Sequence, residues 1–168
     1  LFKTQARELN RGFLSRIERQ RPFIKLKCAA SLDGKTALSN GQSQWITGDA
    51  AREDVQILRA ESCAILTGIG TILADNPQLN VRSFLTLRQP TRIILDTRLR
   101  TPLDSRVVQD SGSPTLILTA ANEQYWKPYL QHQHVTLLRL PESNFGLDLS
   151  TAMTQLAHLG YGEIMLEA

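Results

Sequence analysis

Residues 23–47 read FIKLKCAASLDGKTALSNGQSQWIT, and most of the fold can be argued outward from them. Phe23–Ala29 alternates as a strand does, so Lys25 and Lys27, two apart, fall on one face of a sheet. A core strand does not normally carry two ammonium groups. Lys25 reads as a solvated or edge position. Lys27 lies nearer the strand's C-terminal end, which in open α/β sheets borders the ligand crevice. Asp33-Gly34 is first of all a turn signal, and Ser39-Asn40-Gly41 repeats the same chemistry. Two turns this close make an exposed loop able to cover a ligand. Trp45 follows, reading first as a core residue and second as a flank for an aromatic ring. Thr47 is then placed to N-cap a helix with Asp49 in its first turn.

Beyond this stretch the apolar pattern alternates between the two periods. Strands are expected at Cys63–Thr67, Arg92–Asp96, Thr115–Thr119, Val135–Leu138 and Glu163–Glu167. The middle ones are nearly continuously apolar, as buried parallel strands are. A helix is expected from Thr47 to about Glu61, burying Ala51, Val55 and Leu58. Another carries Leu149, Ala152, Met153 and Leu156 and ends at Gly160. Pro128 weakens a third, over Asn122–Gln131. The order predicts an α/β fold in which helices cover both faces of a mostly parallel sheet. Residues 1–22 stand outside the alternation, as a short amphipathic helix closed by Arg21-Pro22.

At 168 residues the chain suggests one domain, able to bury roughly 70% of its unfolded surface. Its 19 basic and 16 acidic residues make it mildly basic, without the Lys/Arg blocks that point to nucleic acid. No run is long and apolar enough for a membrane span, and the N-terminus lacks a signal peptide's apolar core. Cys28 and Cys63 sit in strand-like runs and read as buried free thiols in a reducing cytoplasm. With no CxxC and histidines only at 132, 134 and 158, no metal site is expected.

Candidate chemistry lies in four further places. Arg52 and Arg59, seven apart on the Thr47–Glu61 helix, can snorkel or can grip a phosphate. Gly68-Ile69-Gly70-Thr71 runs from a strand into a short helix and offers backbone N–H groups to an anion. Asp75-Asn76-Pro77 is a turn leading to Leu79 and Arg82, and Arg82 alone reads as a surface residue. Glu167 ends an apolar strand with a carboxylate, where a site residue is reasonable.

KLKCAASLDGKTA, GQSQWIT, ARxDVQxLRA and AILTGIGTxLADNPQLNVR, in this order and spacing, resemble the reductase domain of bifunctional riboflavin-biosynthesis deaminase–reductases. The resemblance spans residues 22–168, is fair at RIILDTRLRTP and weak from there to Glu163. Residues 1–21, ARELNRGF above all, look like the end of the family's zinc deaminase domain or its linker. The resemblance implies a three-layer, dihydrofolate-reductase-like α/β fold and NADPH as hydride donor. It also implies a phosphorylated pyrimidine substrate, 5-amino-6-(5-phosphoribosylamino)uracil, reduced at its ribosyl C1′, and a cytoplasmic homodimer.

By position, Lys27 and Glu167 would act at the reacting end of the substrate. Ser43, Arg59 and Arg82 would hold its phosphate, with Leu79 lining the site. Ala29, Trp45, Thr71, Asp75 and Thr97 would line the NADPH site. Zinc belongs to the deaminase domain, whose motifs are not in this sequence. The family's Gly-rich segment after Glu167-Ala168 is also not in it, so the reductase domain is expected to be incomplete at its C-terminus. Two other readings stand beside this one. A pterin reductase on the same fold lacks its early-helix carboxylate, since Arg52 and Arg59 sit there. A non-catalytic phosphate- or nucleotide-binding remnant is the other.

Overall fold

Apolar residues that alternate within the strands give the sheet two covered faces, and this sets the architecture. A computed structural model describes residues 2–43 and 45–167. Leu1, Gln44 and Ala168 lie outside the described residues, and with them the outer ends of the two expected domains and one residue of the 41–47 motif. Helices α1 (Lys3–Leu9) and α2 (Arg11–Arg19) precede strand β1 (Phe23–Lys27). Helix α3 (Asp49–Glu61), β2 (Ala64–Gly68), α4 (Ile69–Asp75), β3 (Thr91–Leu95), α5 (Arg106–Gln109), β4 (Thr115–Thr119) and β5 (Val135–Arg139) follow. A small hairpin, β6 (Glu142–Ser143) and β7 (Gly146–Leu147), leads into α6 (Leu149–His158) and β8 (Glu163–Glu167).

Six strands form one sheet in the order β1-β8-β2-β3-β4-β5. Every pairing in it is parallel. The last strand is therefore inserted between the first two, with Lys27 paired to Glu167 and Leu66 to Leu166. On one face Ile65, Ile94, Ile117 and Leu137 pack with Ile72, Val107, Val108 and Tyr129. On the other Leu66, Ile93, Leu116, Leu118 and Ile164 pack with Ala152, Leu156 and Leu147. A one-residue slip would exchange the two sets, so burial on both faces fixes the register. The α/β class and mostly parallel sheet expected from the sequence are the ones observed.

Local expectations fail where capping or tertiary contacts decide. Thr47 does not cap α3; Gly48 holds that place, and the Thr47 carbonyl accepts a hydrogen bond from Arg52 Nη1 at 2.5 Å. Ala51 is exposed and Val55 and Leu58 are half-buried, whereas the buried residues of α3 are Gln56 and Arg59. The expected Asn122–Gln131 helix is two 3₁₀ turns, Glu123–Tyr125 and Tyr129–Gln131, because Pro128 has no N–H to continue a ladder. The two cysteines are free, but Cys28 is exposed and Cys63 half-buried, so the expected burial holds for neither. Asp33-Gly34 and Asn40-Gly41 do form twin turns. In each a glycine at positive φ donates back three residues, Gly34 to Ser31 and Gly41 to Leu38.

The segment read as a join is docked on the sheet. Gly12 of α2 lies so close to β8 that an added Cβ would meet the Glu163 Cβ and the Gly162 carbonyl carbon at 3.1 Å. Ser15 Oγ donates to the Arg21 carbonyl at 2.9 Å. Lys25 lies on an edge strand, as one of its two readings had it, but it is not solvated: its Nζ meets Glu163 Oε1 at 2.5 Å, and Arg11 Nη2 reaches the same oxygen at 3.2 Å. Burial alone would raise the Glu163 carboxyl. The hydrogen bonds from Lys25 and Arg11 outweigh it and hold the pKa below its ordinary 4.5. A depressed carboxylate stabilises the fold above its unfolded pKa, and that contribution is lost as pH falls through the folded one. Glu163→Gln is therefore expected to be less stable than wild type near neutrality, with the gap closing in acid below 4.5. Urea midpoints measured at successive pH values check this; a gap independent of pH would refute it.

Candidate functional site

The carboxyl ends of β1 and β8, helix α3, the start of α4 and the 75–82 segment surround one cleft. It has two connected parts. One, of about 340 Å³, is lined by Lys27, Ala29, Ser43, Trp45, Gln56 and Arg59 among others. The second, of about 680 Å³, adds Thr71, Leu79, Arg106 and Glu167. Lys27, Trp45, Arg59, Asp75 and Arg82 border both. Of the eleven residues expected at the site, ten meet here. Thr97 does not: it lines a separate depression beyond the end of β3.

The inner wall is a polar stripe on α3. Arg52, Val55, Gln56 and Arg59 all line the cleft at i, i+3, i+4 and i+7, the spacing of one helix face. This explains why the apolar stripe predicted for α3 is not its buried face. Arg59 is 8% exposed and bound at both ends of its guanidinium. Its Nε and Nη2 donate to Glu167 Oε1 and Oε2 at 2.6 and 2.7 Å, and its Nη1 donates to the Asn80 carbonyl at 3.0 Å. The planar fork and the carboxylate match bidentately, so each charge is satisfied without water. The Thr67 hydroxyl donates to the Glu167 carbonyl at 2.8 Å and fixes the end of β8. Two residues expected to serve different parts of a substrate are thus joined to each other. Three of Arg59's five N–H groups are spent on protein.

Arg82 stands at the mouth, and among the described residues its guanidinium has no ion-pair partner. Its side chain is exposed, yet burial of part of it is the leading cause of a lowered pKa, with Arg59 and Arg106 adding repulsion and Glu167 opposing it. Its backbone is fixed: Arg82 N–H donates to Gln56 Oε1 at 3.0 Å, and the Gln89 amide brackets Val81 with two 2.8 Å bonds. Leu79 is buried at φ +48, a left-handed conformation costing a branched side chain roughly 1–3 kcal/mol. Surrounding contacts impose it, so the loop is held in one shape.

Trp45 is exposed, contrary to its reading as core. It lies 4.5 Å beneath the Arg52 guanidinium, which also pairs with Asp49. Arg52, weighed as a phosphate ligand but not placed among the expected site residues, lines the cleft, and Gln56 and Arg106 are cleft residues that sequence reasoning passed over. Gln56 was signalled by its spacing with Arg52 and Arg59 on α3. Arg106 had no signal; it arrives because its N–H donates to Asn76 Oδ1 at 2.8 Å, across 30 residues.

The arrangement offers an anion several cations, Lys27, Arg82 and Arg106, around a neutralised Arg59–Glu167 pair. At the adjoining end of β2, Gly68 and Gly70 face open space: a Cβ on either would meet nothing within 4 Å. Replacing either member of the buried pair alone, by Arg59→Met or Glu167→Leu, is expected to destabilise the fold by about 3–5 kcal/mol. The double variant should cost far less than the sum, since it strands no charge. Denaturation of the four proteins checks this, and strict additivity would show the pair to be uncoupled.

The RibD C-terminal domain family matches residues 22–168. The chain is 42% identical to the riboflavin biosynthesis protein RibD of Escherichia coli, covering 100% of this chain and 48% of that protein. Acinetobacter baumannii RibD superposes with a TM-score of 0.79 at 36% identity, over 97% of this chain and 44% of that one. A diaminohydroxyphosphoribosylaminopyrimidine deaminase/5-amino-6-(5-phosphoribosylamino)uracil reductase from Thermotoga maritima superposes with a TM-score of 0.81 at 30% identity, over 98% and 44%. The chain spans about half the length of the relatives it matches.

Proposed function

Since the chain belongs to the RibD C-terminal domain family, we propose that its cleft reduces 5-amino-6-(5-phosphoribosylamino)uracil at the ribosyl carbon with NADPH. The observation carrying this reading is the cluster of Lys27, Arg82 and Arg106 around a buried Arg59–Glu167 pair of no net charge. An anionic substrate needs charge at the mouth and a fixed, satisfied interior. The lining fits an anionic dinucleotide as well, because Gly68 and Gly70 leave the backbone bare beside Thr71 and Asp75. When bound, the cofactor supplies the hydride.

The chain's own residues supply charge matching, orientation and proton access. Arg82 takes the substrate phosphate, with Ser43 beside it and Arg59 contributing its two remaining N–H groups. Arg59 has a second task, holding the Glu167 carboxylate immobile at the strand end through two hydrogen bonds. Lys27 is paired in register with Glu167 on the neighbouring strand and sits at the floor, where an ammonium can donate to a polar group of the substrate. Leu79 gives the site an apolar wall. Ala29 and Trp45 line the cofactor side, and Arg52 keeps the indole in place from above.

Arg82→Ala is expected to weaken binding of the phosphorylated pyrimidine by ~1.5–3 kcal/mol, as loss of a charge-assisted hydrogen bond does. Binding of the dephosphorylated nucleoside should change little. Titration of both compounds against both proteins measures the difference. Equal losses, or none, would remove Arg82 from the phosphate.

A further inference from the structure

Four arginines border the cleft, and the fold treats them differently. Arg59 is joined to Glu167, while Arg52 pairs with Asp49 and covers the Trp45 indole. Arg82 and Arg106 are both exposed, and among the described residues neither has an ion-pair partner. They border the same part of the cleft, together with Leu79. Burial first, and then the charges of Arg59 and Arg106, push the Arg82 guanidinium down in pKa, so the two unpaired cations feel each other. Like charges gathered without a carboxylate of their own cost free energy, and such a grouping in a cleft marks a place for an anion.

The backbone that carries Arg106 is held at both ends of α5. Val107 and Val108, which follow it, are wholly buried in the core. At the far end stands Arg92 of β3, itself wholly buried. Its Nη1 donates to the Val107 and Asp110 carbonyls at 3.2 and 2.9 Å, and its Nη2 donates to Asp110 Oδ2 at 2.7 Å. At the near end the Arg106 N–H donates to Asn76 Oδ1 at 2.8 Å. Asn76 has φ +42, in the left-handed region that asparagine tolerates, and directly follows the cleft residue Asp75. The main chain is thus fixed while the guanidinium is left without a carboxylate, an arrangement that presents the cation to a ligand and not to the fold.

Resting on the assignment of the substrate phosphate to Arg82, we propose that Arg106 is a second cation for that phosphate and that Asn76 is its positioning residue. A phosphate monoester carries about −1.5 to −2 charges near neutrality, on three acceptor oxygens. One guanidinium fork meets two of those oxygens and brings one positive charge. The charge of Arg59 is already balanced by Glu167, and Lys27 stands beside that carboxylate on the neighbouring strand. Arg82 alone therefore leaves the dianion short of charge. Arg106 is the remaining cleft arginine with no carboxylate to satisfy, and it makes the site select a phosphorylated pyrimidine over its uncharged nucleoside.

The test is equilibrium titration of the phosphorylated pyrimidine, its dephosphorylated nucleoside and NADPH against wild type and variants. Arg106→Ala is expected to weaken the phosphorylated compound about tenfold, as loss of a charge-assisted hydrogen bond does, and to leave the nucleoside and NADPH unchanged. Arg106→Lys, which keeps the charge and loses the fork, should fall between the two. Asn76→Gly keeps the left-handed backbone and removes the acceptor, so it should show a smaller loss of the same selective kind; a merely structural role would weaken all three ligands alike. If Arg106→Ala leaves the phosphorylated compound unaffected, weakens both pyrimidines equally, or weakens NADPH instead, Arg106 is not a phosphate ligand, while a wild-type preference for the phosphate that Arg82→Ala removes would keep the Arg82 assignment standing. Wild-type protein that binds both pyrimidines equally would overturn the phosphate site as a whole.

Discussion

The insertion of β8 between β1 and β2 is the constraint on which the rest depends. The strand reads Glu-Ile-Met-Leu-Glu, with a carboxylate at each end and apolar residues between. At its start Glu163 is held by Lys25 and Arg11, and at its end Glu167 is held by Arg59. The apolar middle drives insertion, and the two charge clusters set how far along its neighbours the strand lies. The Arg59–Glu167 bonds close across 108 residues. Such a sheet gains its central pairings only after a long loop-closure cost has been met, a topology that folds slowly. Until β8 arrives, Lys27 has no carboxylate beside it and the floor of the cleft does not exist.

The same placement explains why helix α3 buries a polar face. Gln56 and Arg59 would be costly inside an apolar core. Here each is matched: Gln56 to the Arg82 N–H, and Arg59 to Glu167 and the Asn80 carbonyl. These contacts tie α3 to the strand end on one side and to the 79–82 loop on the other. With the Gln89 bracket on Val81 and the left-handed Leu79, the loop that carries Arg82 is fixed before any ligand enters. The entropy of ordering that wall falls on folding, and a ligand need not supply it.

What the sequence made legible follows from which interactions are local. Strand positions came through because near-continuous Ile, Val and Leu runs between turn signals have few other readings, and the observed ends differ by only one or two residues. The Asp33-Gly34 and Asn40-Gly41 turns came through because left-handed glycine chemistry is contained within five residues. The face of α3 did not, because periodicity counts apolar residues and cannot see a partner 108 residues away that makes an arginine a core residue. Lys25 was legible as an edge position but not as a paired one, for the same reason: its partner, Glu163, belongs to the last strand. The β6–β7 hairpin was missed because two-residue strands carry no period. The resemblance supplied the identities of the cleft residues but not their partners, and so could not reveal that Arg59 and Glu167 bind each other.

That pairing changes how the charge of the cleft should be counted. Taken residue by residue, Lys27, Arg59, Arg82 and Arg106 form a strongly basic site. With Arg59 neutralised by Glu167, the attraction for an anion comes from the half-buried Lys27 at the floor and from the exposed Arg82 and Arg106 at the rim, where water screens them, while the buried pair adds shape and hydrogen bonds and no net field. Like charges already press on Arg82 from Arg59 and Arg106, and Glu167 offsets part of that repulsion. Rim cations govern encounter and release, whereas the buried pair governs geometry. A cleft divided in this way can exchange an anion at its rim without disturbing the strand end that forms its floor.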